Sequence, residues 1–178
     1  TLIFGYGLQV SIPKIIGGTP DPEKNTVSNS LLLFIALNSI FVSILLILAW
    51  FISKHFEIAF LTQVKLSLIY PYFWLVPILF ISALLRDTLL ANLSGFQVFA
   101  RRAVGVALAS ALQIVMSIAV LTLLRGGVIS LAIAYTISYF LTVLFLFYAL
   151  PKSKESTLQL SYVTSAIKFS WILWINSI

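Results

Sequence analysis

Arg86 and Asp87 stand side by side within a long apolar stretch, and no other position offers more chemistry. A guanidinium presents five N–H donors to an anion, and an adjacent carboxylate can offset its charge when no anion is bound. Ionisable groups at membrane depth are costly and therefore face a bundle interior or a water-filled cavity. At about 100° per residue, Arg86, Asp87, Thr88, Asn92, Ser94, Gly95 and Gln97 spread over a broad polar sector, with Leu89, Leu93, Phe96 and Ala100 opposite. The pattern predicts a cavity wall whose substrate-binding side chains are Arg86, Asp87, Asn92 and Gln97. Asn38, with Ser39 and Ser43, is expected either to face the same cavity from an earlier helix or to hydrogen-bond between helices, which explains them equally well. Two alternatives stay open: the charged pair ends the span with the next turns in the interface, or it is a structural ion pair between helices.

Enzyme chemistry is poorly supplied. The acidic residues are Asp21, Glu23, Glu57, Asp87 and Glu155, and His55 is the sole histidine. The sequence has no metal-ligand spacing, no phosphate-cradling glycine loop and no nucleophile elbow. It contains no cysteine, which excludes disulfides and thiolate metal sites. No catalytic residue, metal or cofactor is expected, and the protein is not read as an enzyme. His55 follows Lys54 at a helix end, where an interfacial role is favoured over proton coupling. Tyr135, Tyr139 and Tyr148 could stack on sugar rings or serve as packing and anchors. The sequon Asn92-Leu93-Ser94 lies within a membrane helix and is not read as a glycosylation site.

The elements that position these residues follow from composition. Of 178 residues, 61% are hydrophobic and 9% charged, against roughly 25% charged in a soluble domain. Such a chain cannot cover a surface facing water. Each apolar run of about 20 residues is long enough for a hydrocarbon core about 30 Å thick. The fold class is therefore all-α, a polytopic transmembrane bundle with at least four complete spans.

Helices are expected over 1–13 (partial), 28–53, 66–100, 103–124, 128–150 and 165–178 (partial), all within one transmembrane domain. Pro13 closes the first, and the glycine and proline cluster from Gly17 to Pro22 reads as a loop. Lys54 to Lys65 is a short polar connection. Pro71 and Pro77 should kink the helix that carries Arg86. Two small-residue ladders, Ala103–Ala107–Ala111 and Gly105–Ala109, would let helix backbones approach closely. Arg125-Gly126-Gly127 is a tight turn, and Pro151 ends the fourth complete span. The start at Thr1, without methionine, and the end inside an apolar run both read as cuts in a longer polypeptide.

The net charge is +6, and the basic residues fall in the gaps between apolar runs, where they meet lipid headgroups rather than nucleic acid. Lys14, Lys24, Arg101, Arg102, Lys152, Lys154 and Lys168 give seven on one side, against Lys54, Lys65 and Arg125 on the other. The seven-residue side is expected to be cytoplasmic. With Arg101 at that interface, Arg86 lies about 22 Å along a continuous helix, near mid-membrane.

The stretch Phe4-Gly5-Tyr6-Gly7-Leu8-Gln9-Val10-Ser11-Ile12-Pro13-Lys14-Ile15-Ile16, followed by Asp21-Pro22-Glu23-Lys24, resembles the end of the second helix in polysaccharide biosynthesis flippases. Leu89 to Arg102 is similar to that family's glycine, aromatic and glutamine element leaving the fourth helix. Leu124-Arg125-Gly126-Gly127-Val128 and Ala166-Ile167-Lys168-Phe169-Ser170 are similar to the connection of helices five and six and to the entry of helix seven. These elements occur in one register along the whole chain, which departs at Ser170, where the family often has glycine followed by proline. The superfamily also holds multidrug and toxin extrusion transporters and peptidoglycan-precursor flippases. The resemblance implies the N-terminal half of a two-bundle transporter in the cytoplasmic membrane, working by alternating access. It implies a polyprenyl-pyrophosphate-linked oligosaccharide as cargo, the bilayer as partner, and H+ or Na+ as coupling ion. Arg86 would then contact the anionic headgroup. A cation-coupled exporter of small amphipathic compounds is the alternative within the superfamily, and a membrane enzyme acting on the same lipid carrier is an alternative outside it.

Overall fold

The computed structural model describes residues 2–55, 74–124, 127–151, 159–165 and 168. They form an all-α bundle with no strand among the described residues. Five helices run in order: α1 (Leu2–Gly18), α2 (Lys24–His55), α3 (Leu75–Gly95), α4 (Phe99–Leu124) and α5 (Val128–Ala149). A single 3-10 turn, Asp21–Glu23, leads into α2. Helices α2 to α5 are each long and apolar enough to cross a membrane. With 21 residues α3 is about 31 Å long, matching the hydrocarbon thickness.

Several boundaries differ from the sequence expectation for identifiable reasons. Helix α1 continues through Pro13 to Gly18. A proline removes one backbone donor, whereas stopping there would leave several groups unpaired in an apolar setting. Its true end is at Thr19, whose hydroxyl donates to the Ile15 carbonyl at 2.7 Å. Helix α2 begins at Lys24 rather than residue 28, because Pro20 and Pro22 set the entry angle and Lys24 pairs with Asp21 at 2.7 Å.

The expected single helix over 66–100 is broken at residues 96–98. Gln97 N–H donates to the Ser94 carbonyl at 3.0 Å and Val98 N–H to the Leu93 carbonyl at 3.0 Å. Gln97 takes a left-handed φ of 58°. These two bonds and that φ form a Schellman close with glutamine where glycine is usual. Arg101 and Arg102 consequently sit in the first turn of α4, not at the end of α3. The end of α5 is sharp: Leu150 is extended because Pro151 follows it. The connection over 54–65, Pro71, the turn at residues 125–126, and the partial helix expected over 165–178 lie wholly or mostly outside the described residues.

Helix α3 is central and packs against α1, α2, α4 and α5. On one side Ala91 joins Ile12 and Ile16 of α1 and Val27, Leu31 and Ile35 of α2. On the other, Leu89 and Leu93 meet Leu32 of α2 and Val143 and Leu146 of α5. The exterior is apolar, with Leu37, Phe41, Ile114 and Ile118 among its exposed side chains. Inside, the buried hydroxyls of Ser39, Ser43, Thr88 and Thr142 each bond a carbonyl four residues earlier on their own helix. Small, locally satisfied polar residues inside and large apolar ones outside suit a bundle surrounded by lipid.

The two small-residue ladders of α4 part company. Gly105 and Ala109 are buried, and a Cβ at Gly105 would lie 2.6 Å from Leu146 Cδ2. Ala103, Ala107 and Ala111 are exposed. Only the Gly105–Ala109 ladder brings helices together among the described residues.

Several contacts collect one set of helix ends. Arg101 Nη1 donates to the Ala149 carbonyl at 2.9 Å, joining the start of α4 to the end of α5. The backbone of Gln159 donates to Ser30 Oγ at 2.9 Å. The Tyr162 hydroxyl donates to Glu23 Oε2 at 2.5 Å, and that carboxylate holds the phenol's pKa above its ordinary value. Lys14, Lys24, Arg101 and Arg102 lie toward this end, which is accordingly basic.

Candidate functional site

Arg86 is eleven residues from the start of α3 and nine from its end, so it sits about 14 Å along the axis from Gly95. The helix break does not move it from the middle of the span. Arg86 Nε and Nη2 both donate to Asp87 Oδ1, at 2.8 and 2.6 Å. Adjacent helical positions diverge by about 100°, so both side chains must bend sideways to meet. Pairing here neutralises two charges that the surrounding medium cannot solvate.

The guanidinium carbon also lies 4.1 Å from the centroid of the Tyr139 ring, in cation–π range. This contact ties the middle of α3 to the middle of α5. Tyr135 follows one turn away, its ring centroid 6.1 Å from that of Tyr139. Both members of the ion pair keep partial exposure, 20% for Arg86 and 26% for Asp87. Asp87 takes one edge of the guanidinium and Tyr139 one region of its face, leaving Nη1 without a hydrogen-bond partner among the described residues. The arrangement can hold a neutralised arginine at depth and release its charge to an incoming anion.

The remaining expected residues do not join it. Asn92 is fully buried about 9 Å further along α3. Thr88 and Gly95 are also buried in helix contacts, so this part of the polar sector is an interface and not a cavity wall. Gln97 is exposed and forms the helix break. Asn38 is exposed on α2, while Ser39 and Ser43 face inward and are satisfied by their own helix. The expectation of one continuous wall fails because α3 is ringed by neighbours and its small polar residues are used for close packing.

Tyr139 as the partner of Arg86 was not foreseen; the available signal was a tyrosine pair at i and i+4 on α5. Tyr148, grouped with those two on sequence, is 80% exposed near the end of α5. The His55 side chain lies outside the described set. No group of three or more His, Cys, Asp or Glu side chains able to hold a metal ion occurs among the described residues.

No protein-family model, curated protein or solved structure matches this chain. The site is therefore read on its geometry, with the sequence resemblance beside it.

Proposed function

We propose that the protein is part of a multi-pass transporter of the cytoplasmic membrane that moves a polyprenyl-pyrophosphate-linked oligosaccharide by alternating access. One observation carries the reading: Arg86 lies mid-span, neutralised by Asp87 and steadied by Tyr139, both through contacts that leave it partly exposed. A pyrophosphate group offers several anionic oxygens and could displace the single Asp87 oxygen from the guanidinium. Tyr135 and Tyr139 add aromatic faces suited to the apolar face of a sugar ring. The oligosaccharide would cross beside these groups while the polyprenyl tail remains in lipid. A cation-coupled exporter of amphipathic compounds would need Asp87 as a free acceptor, and Asp87 is engaged by Arg86.

The test is glycan export by the full-length protein carrying Arg86→Ala or Arg86→Lys, with membrane levels matched. Arg86→Ala should abolish export, and Arg86→Lys should keep part of it by retaining the charge. Normal export by Arg86→Ala at normal levels would refute the cargo-binding role.

A further inference from the structure

We infer that the seam where α1, α2 and α3 meet at the basic end of the bundle is built to part, with Asn92 as the residue that limits how tightly it closes. Asn92 is 0% exposed, yet neither Nδ2 nor Oδ1 has a hydrogen-bond partner among the described residues. It differs from the buried hydroxyls of Thr88 and Thr142, which donate to their own helices. An amide buried without a protein partner raises the free energy of the closed arrangement. When the seam parts, water or a polar ligand reaches the amide and the penalty disappears. Asn92 therefore acts on one side of an open–closed equilibrium.

The residues that flank Asn92 on α3 define the seam. Ala91 packs among Ile12, Ile16, Val27, Leu31 and Ile35. Gly95, one turn further, faces Ile16 so closely that a Cβ would lie 2.6 Å from Ile16 Cβ. The missing side chain at Gly95 allows full closure, and the polar side chain at Asn92 opposes it. Such opposition has a purpose only if the helices separate, so the inference rests on the transport reading. Its test requires no cargo and can fail while that reading stands.

Ala91, 5% exposed, is the reporter position, and the chain contains no cysteine to compete with an introduced one. Ala91→Cys in the full-length protein is labelled in membranes by a hydrophilic maleimide supplied from the basic side, and its rate follows the open fraction. Adding Asn92→Leu removes the unpaired amide and should slow labelling by roughly five- to a hundredfold. Adding Gly95→Ala should speed it. The Asn92→Leu protein should also unfold at a higher temperature than the parent. Unchanged or faster labelling with Asn92→Leu, or a lower unfolding temperature, would overturn the inference, since an asparagine held by structural hydrogen bonds gives that result.

Discussion

Asp87→Asn leaves Arg86 charged in the middle of α3 with no carboxylate beside it, and the consequence can be sized from the geometry. An unpaired arginine at the centre of a span costs about 2.5 to 3.5 kcal/mol on insertion scales. Asp87 supplies two short charge-assisted bonds, at 2.8 and 2.6 Å, a kind worth about 1.5 to 3 kcal/mol each when well buried. Both side chains keep partial exposure, so the value for breaking a fully buried pair, about 3 to 5 kcal/mol, is discounted for screening. The Tyr139 contact, worth about 0.5 to 2 kcal/mol, survives the substitution. Asp87→Asn should therefore destabilise the protein by about 2 kcal/mol. Arg86→Gln alone should cost about 1 kcal/mol, and the double variant should return to within about 1 kcal/mol of the parent, giving a coupling of about 2 kcal/mol. Reversible unfolding of the four proteins in mixed micelles measures this cycle. Single effects that add to within about 0.5 kcal/mol would refute the pairing argument and leave Arg86 as a snorkelling side chain served by interfacial water.

Two further outcomes follow from the packing and the charge distribution. Gly95→Ala should lower stability by about 1 to 3 kcal/mol, because its new Cβ meets the β-branched root of Ile16, whereas Gly105→Ala meets the movable side-chain ends of Leu146 and Leu90 and should be near neutral; thermal unfolding of both variants compares them, and equal effects would contradict the distinction. If the basic helix ends face the cytoplasm, as the positive-inside rule leads us to propose, a cysteine at Lys24 should resist impermeant thiol reagents in intact cells, and labelling there would invert the orientation.

The spans were legible because apolar length alone decides them, and α4 and α5 fall close to the residues their hydrophobic runs indicate. Boundaries were less legible where backbone bonds overrule residue type. Pro13 reads as a stop but is carried within α1, and Gln97 lacks the glycine that usually marks a Schellman close. The dipeptide Ser94-Gly95 was the one local hint of that break. Arg86 and Asp87 stood out because charge is scarce in this chain. Their relation to Tyr139 depends on the packing of α3 against α5, separated by some fifty residues, and no local pattern encodes it. Asn92 shows the reverse: its polarity suggested a cavity wall, while it is fully buried within the bundle. Helical periodicity gives the faces of a helix but not which of them its neighbours cover.

Recognition of the anionic part of a lipid-linked cargo by Arg86 can be measured by equilibrium binding. Purified full-length protein is titrated with a short-chain polyprenyl pyrophosphate and with the corresponding uncharged polyprenol, for the parent, Arg86→Lys and Arg86→Ala. The parent should prefer the pyrophosphate by at least about tenfold, Arg86→Lys should keep part of this preference, and Arg86→Ala should lose it while binding the polyprenol as before. An Arg86→Ala protein that still prefers the pyrophosphate to the same degree would show that Arg86 does not read the headgroup.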